Sequence, residues 1–281
     1  MSARRTPTPA RLVANAAGLV ILVVSIFPVY WMISRSFLPR NRIKSDEQAW
    51  LPTDGTLANY DRILEGEGFR NALVTSLSVT LMTVGVALLF AFLAAVAVSR
   101  FRFRGRRSFI LTLLVIQMIP AEGLFISQYK MLEGVSLLNS VFGLTLVYVA
   151  SVLPFTVWTL RGFVDGVPRE LEEAAMMDGC SRVQAFFTVT LPLLAPGLVA
   201  TGLFGFIQAW NEFTLALVVM TEPAKETLPV WLVGFSESRS RGVDWGAIMA
   251  ASTLITIPVI VFFLIVQRRM VSGLTAGAVK G

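Results

Sequence analysis

Residue types that do chemistry are scarce in this chain, and where they fall is informative. There is no histidine and a single cysteine, Cys180. The donors for an ordinary zinc site, a Cys/His nucleophile pair or an internal disulfide are therefore missing. No Gly-x4-Gly-Lys-Ser/Thr phosphate loop occurs either. The nearest string, Gly273 to Gly281, has neither its spacing nor a preceding strand. Enzymatic chemistry is not expected, any nucleotide energy must come from a partner, and Cys180 reads as a small packing residue. What remains are carboxylates. Glu122 and Glu212 stand within apolar runs, whereas Glu170, Glu172 and Glu173 cluster in a polar loop. An acid near the bilayer centre costs about 2.5–3.5 kcal/mol on insertion scales, so it faces a partner group or a wet cavity.

The runs that position these groups are of membrane length. The 281 residues are 55% hydrophobic and 15% charged, outside the range of soluble domains. About 20 helical residues cross roughly 30 Å of hydrocarbon, where only helices or closed barrels satisfy every backbone group. We expect an all-α, polytopic membrane protein with six transmembrane helices: Leu12 to Ser34, Ala72 to Ser99, Ser108 to Tyr129, Leu137 to Leu160, Leu193 to Met220 and Gly246 to Gln267. This gives a tail over 1–11, a transmembrane domain over 12–267 and a tail over 268–281.

Two spans carry special features. The first follows Arg4, Arg5 and Arg11, as a signal peptide would. It is too long for one, lacks a cleavage site and ends in the interfacial pair Tyr30-Trp31, so it is expected to stay as a helix. The third is interrupted by Pro120, Glu122 and Gly123 and is expected to be kinked and to face the bundle interior. In the fifth, Thr201, Gly205, Gln208 and Glu212 are spaced to share one helical face, which places Glu212 inside the bundle.

Orientation follows from the basic residues, of which 14 of 24 fall in the two tails, the Arg100 to Arg107 loop and the loop from Arg161 to Arg182. Short cytoplasmic loops retain Lys and Arg, so both termini are expected in the cytoplasm and segment 39–70 outside it. The same bias accounts for the net charge of +6 without nucleic acid. Arg100-Phe101-Arg102-Phe103-Arg104-Gly105-Arg106-Arg107 interleaves aromatics and arginines as an RNA-binding segment does, but lies between two spans, where it anchors to headgroups. In segment 39–70, Leu57 to Leu64 reads as a short helix bearing Asp61 and Arg62.

The loop over 163–192 specifies two short helices at an angle. Pro168 suits a first helical turn, and Glu170, Glu172 and Glu173 lie at its positive end. Gly179 supplies a left-handed stop, and Ser181 with Gln184 forms a capping box for a second helix through Phe186 and Phe187. Pro192 and Pro196 then lead into the fifth span. Ala174 and Ala175 give the first helix a low-profile face suited to a groove in another protein; the residues alone fit a cytoplasmic loop that is simply helical equally well.

These residues resemble a known family. Glu173-Ala174-Ala175-x3-Gly179-x9-Val189-x-Leu191-Pro192 is similar to the EAA loop of ATP-binding-cassette importer permeases, with Val189 where isoleucine is usual. The ending Gln267 to Gly281 and the string Trp210-Asn211-Glu212-Phe213 resemble the smaller, six-span permease of maltose-type carbohydrate importers. The resemblance covers essentially the whole chain and implies a type I importer permease (MetI-like) fold in a bacterial plasma membrane. It implies a second homologous permease, an ATPase dimer that binds ATP and Mg, an extracytoplasmic sugar-binding protein, and no cofactor on this chain. It assigns ATPase docking to Glu173, Ala174, Ala175, Asp178, Gly179, Leu191 and Pro192, with a second contact through Gly277, Lys280 and Gly281. Glu122, Gln208, Asn211 and Glu212 are the translocation-path positions. For the two acids, hydrogen-bond glue between helices is the competing role, favoured because the resemblance places much of the sugar site on the partner permease. The competing class is a self-sufficient secondary transporter or channel, which needs its own coupling-ion site and often shows inverted repeats. No half-to-half repeat is evident.

Overall fold

The computed structural model describes residues 9–43, 50–120, 123–237 and 244–278, and among these every regular element is helical. In order they are α1 (Pro9–Ser36), α2 (Arg40–Ile43), α3 (Ala58–Leu64), α4 (Glu67–Arg100), α5 (Arg106–Ile116), α6 (Phe125–Gly134) and α7 (Val141–Gly166). Then follow α8 (Arg169–Met177), α9 (Arg182–Ala185), a π-turn (Phe186–Thr190), α10 (Leu191–Asn211), α11 (Thr214–Val219), a 3-10 turn (Pro223–Lys225), α12 (Leu228–Glu237) and α13 (Trp245–Ala278). The chain divides into two compact units, Met1–Gly66 with Gly234–Thr256, and Glu67–Val233 with Ile257–Gly281.

In the first unit, the most apolar window of Val13–Ser36 in α1 has a mean hydropathy of 2.3 and is not buried, while Ser34 and Ser36 at its end are. Hydrocarbon, unlike water, does not penalise that exposure. The chain beyond it is fixed by polar bonds. Buried Asn59 donates from Nδ2 to the carbonyls of Ser36 and Leu38, both at 2.9 Å. Arg62 pairs at 2.6 Å with Asp244, whose side chain is 1% exposed. Gly246 packs so tightly that a Cβ there would approach Asn59 Nδ2 to 2.8 Å. The short helix expected over Leu57 to Leu64 is present as α3.

The second unit is built on α4, α7 and α10. Without a hydrophobic force between helices in lipid, close packing depends on small residues. Ala87, Ala91 and Ala95 recur every four residues along α4 and are all buried. Gly197 of α10 lies against Phe163 of α7, where a Cβ would come within 2.4 Å of the ring. Phe206 stacks on Phe262 with centroids 4.2 Å apart, tying α10 to the later part of α13.

Five helices, rather than the six expected, are long and apolar enough to cross a membrane among the described residues. The expected third span is two short helices, α5 and α6. After Ile116 the backbone tightens into i→i+3 bonds, Met118 to Val115 and Ile119 to Ile116, and Pro120 cannot continue the ladder. α5 buries no residue, and its half-buried Leu113 packs against the core cluster of Val157, Leu160 and Leu194. Leu132 of α6 does enter the core, beside Leu144 and Val219. The fifth span is corrected as well: α10 stops at Asn211, and Glu212 is extended at φ −69° and ψ 127° before α11 begins.

Candidate functional site

The loop between α7 and α10 is a built structure. Pro168 is the N-cap of α8, one position before the first turn in which it was expected, and Glu170 and Glu172 occupy that turn. At the far end the Cys180 N–H donates to the Ala175 carbonyl and the Gly179 N–H to that of Met176, both at 3.1 Å. These two bonds form a Schellman motif, which needs a left-handed residue, and Gly179 supplies it at φ +96°. The expected capping box is present: Gln184 N–H donates to Ser181 Oγ, and Ser181 N–H donates to Gln184 Oε1 at 2.8 Å. The second helix is not separate from the span that follows. It widens into the π-turn, where the Leu191 N–H donates to the Phe186 carbonyl, and passes into α10 with Pro192 in the first turn, where a proline is tolerated.

Of the expected docking residues, Glu173, Ala174, Asp178, Gly179 and Pro192 are exposed, and Ala175 and Leu191 are half-buried. Met177 beside them is 88% exposed, an apolar tip on the outward face. On the other side, α8 and the end of α4 border a groove of about 370 Å³ lined by Arg100, Phe101, Glu173, Met176, Phe186 and Phe187, among others. Behind it, Arg100 lies 3.2 Å from Glu172 Oε1, which also accepts the Thr190 hydroxyl at 2.7 Å. Sequence reading missed this cluster, because Arg100 and Glu172 are far apart in the chain and no periodicity links them.

The expected path residues separate. Glu122 lies outside the described residues, as do Lys280 and Gly281, and Gly277 belongs to the last turns of α13. Gln208 and Asn211 are exposed, whereas Thr201 and Gly205 are buried against the bundle. Glu212 is off the helical face it was expected to share. Its carboxylate accepts the N–H of Leu215 at 2.8 Å, the N–H of Ala216 at 3.0 Å and the Tyr148 hydroxyl at 2.6 Å. It thus satisfies the first turn of α11 and joins it to α7. Among the described residues no group of His, Cys, Asp or Glu could hold a metal ion.

The chain is thus an all-helical bundle with membrane-length helices and a capped, exposed short helix on an interhelical loop, an arrangement that fits a transport permease. Over residues 66–275 the chain matches, and belongs to, the family described as "Binding-protein-dependent transport system inner membrane component". It is a transport component of an inner membrane, not an enzyme. The chain is 48% identical to the diacetylchitobiose uptake system permease protein DasC of Streptomyces coelicolor, over 96% of this chain and 98% of that one. It is 35% identical to the trehalose/maltose transport system permease protein MalG of Thermococcus litoralis, over 96% and 97%. A solved chain of a bacterial ABC transporter involved in the import of the acidic polysaccharide alginate superposes with a TM-score of 0.77. It covers 94% of this chain and 99% of its own length at 23% identity, a likeness of fold.

Proposed function

We propose that this chain is one of two permease subunits of an ATP-driven importer of a di- or oligosaccharide. An ATPase dimer binding ATP and Mg docks on α8, and an extracytoplasmic binding protein delivers the sugar. The observation that carries the docking is the form of α8. Its Schellman stop and the capping box after it fix a short helix whose outward face shows Ala174, Met177 and Gly179 to solvent. An apolar tip on a rigid knob fits a cleft in another protein. Relatives that carry diacetylchitobiose, trehalose and maltose in their names support a carbohydrate cargo.

In this reading both termini and the α8 loop are cytoplasmic, and segment 39–70 meets the binding protein. ATP binding closes the ATPase pair, draws the coupling helices together and opens the permeases outward. Hydrolysis then restores the inward-facing state. Gly277, Lys280 and Gly281 provide a second ATPase contact, and Gln208 and Asn211 line the path. The test is purification of the tagged chain in mild detergent from its native host. An ATPase and a second, related permease should come with it, and the sugar-loaded binding protein should stimulate ATP hydrolysis in liposomes. A chain that runs alone and moves solute uphill unaided would refute the proposal.

A further inference from the structure

The connection behind α8 runs in both directions. Arg100 is the last residue of α4 and Arg169 the first of α8, and each reaches the other's helix. Arg100 donates from Nη2 to the Val167 carbonyl at 3.0 Å and pairs with Glu172. Arg169 donates from Nη2 to the carbonyls of Ser99 and Arg100, at 3.0 and 3.4 Å. Those carbonyls end α4, where no intrahelical donor remains and a cation is favoured. Glu172 Oε1 also holds the hydroxyl of fully buried Thr190, at the start of α10. One carboxylate thereby joins α4, α8 and α10.

Two features make this more than local stabilisation. Arg100 and Glu172 are 12% and 19% exposed, so water competes weakly for their bonds. The backbone of α8 rests mainly on α9 and the π-turn and approaches α4 sparsely, so side chains carry the connection to α4. α4 in turn packs on both α7 and α10, which makes its end a second point, beside the π-turn that continues into α10, at which a push on α8 reaches the bundle.

We propose that Arg100, Arg169 and Glu172 lock the coupling helix to the end of α4, and that this lock sets how much cargo moves per ATP hydrolysed. The proposal rests on the docking reading above and names positions outside the Glu173, Ala174, Ala175 and Gly179 pattern. They are positioning residues, acting through α8.

The test uses the complete importer in liposomes with Arg100→Gln, Arg169→Gln and Glu172→Gln. The first readout is sugar carried per ATP hydrolysed, with whichever of maltose, trehalose and diacetylchitobiose the parental complex carries. The second needs no cargo: a fluorophore on Val74→Cys, an exposed site near the other end of α4, in a Cys180→Ser background, followed during MgATP–vanadate trapping. The lock predicts normal ATPase co-purification and trapping, a sugar-to-ATP ratio lowered about fivefold or more, and loss of most of the fluorescence change. Arg169→Lys, which keeps a cation on the carbonyls, should recover both. A parental ratio and signal in all three variants overturns the lock. So does loss of ATPase co-purification in all three, which would make the cluster structural only. If the parental chain itself brings down no ATPase, the docking reading fails, and that is seen before any substitution is made.

Discussion

Glu212→Ala separates the two roles open to an acid inside the bundle. Its carboxylate accepts two backbone N–H groups at the start of α11 and the hydroxyl of Tyr148, which is 2% exposed. Truncation leaves three donors without that acceptor. A buried donor left unpaired costs about 1–3 kcal/mol, and part of α11's first turn can relax, so the expected loss is about 3 kcal/mol. Tyr148→Phe removes one bond together with its donor and should cost only about 1 kcal/mol. The assay is thermal unfolding of the detergent-solubilised permease, followed by gel filtration, beside sugar uptake normalised to folded protein. Glu212→Ala should melt several degrees lower, and in the double variant Tyr148→Phe should add little, because the partners share one interaction. The folded fraction should transport at near-parental rate. An unchanged melting temperature with abolished uptake would refute the capping argument and assign Glu212 to the sugar.

Four shorter predictions follow. A Cβ at Gly179 meets no atom within 4 Å, so the penalty of Gly179→Ala is the left-handed backbone alone, about 1–2 kcal/mol; the chain should fold but retain less ATPase on co-purification. Gly197→Ala drives a Cβ into Phe163 and should cost about 1–3 kcal/mol by melting, with Phe163→Ala in the same chain restoring much of it. Arg62→Glu should destabilise by about 3 kcal/mol, the low end for breaking a buried pair because Arg62 is 44% exposed, whereas Asp61→Lys should leave melting unchanged and lower binding-protein-stimulated ATPase activity. Burial raises the Glu226 carboxyl above its ordinary value, so ionisation works against folding as pH rises through the ordinary carboxylate range and does so in full once pH passes the raised value; Glu226→Gln should melt slightly higher than the parent at pH 8, with the difference vanishing below pH ~4.

What the sequence shows well here is local. Hydropathy located α1, α4, α7, α10 and α13, because twenty apolar residues in lipid have few alternatives to a helix. Gly179, Ser181 and Gln184 announced the stop and start in the loop between α7 and α10, because their bonds close within five residues. Hydropathy failed where apolar content stayed high but the backbone broke. Leu193 to Met220 reads as one span, yet Glu212 turns the chain at its middle by giving the next helix a better acceptor than continued winding would. The third span fails for a similar reason at Pro120. Arg100, Arg169 and Thr190 were hidden because their partners are long-range, and arginines near a bilayer are first explained by topology. The ion pair of Arg62 with Asp244 is equally long-range, and nothing in the local pattern of Leu57 to Leu64 points to it.

Half-buried Glu212, buried Asp244 and exposed Arg169 share one arrangement, which explains how helix ends persist in so apolar a chain. Each sits at a helix end of opposite sign. Glu212 faces the N-terminal N–H groups of α11, and Asp244 caps α13 by accepting from Ala247 at 3.4 Å while holding Arg62. Arg169 faces the last carbonyls of α4. A helix interrupted at membrane depth exposes donors at one end and acceptors at the other, at several kcal/mol each if left bare. One carboxylate or guanidinium satisfies two such groups at once and is favoured by the helix dipole. The break and the buried charge, each costly alone, therefore offset one another. The pairing is directional as well: a side chain of the wrong sign at Glu212 or Arg169 would leave both costs uncompensated, so these positions hold the fold's charge pattern as firmly as the alanines of α4 hold its packing.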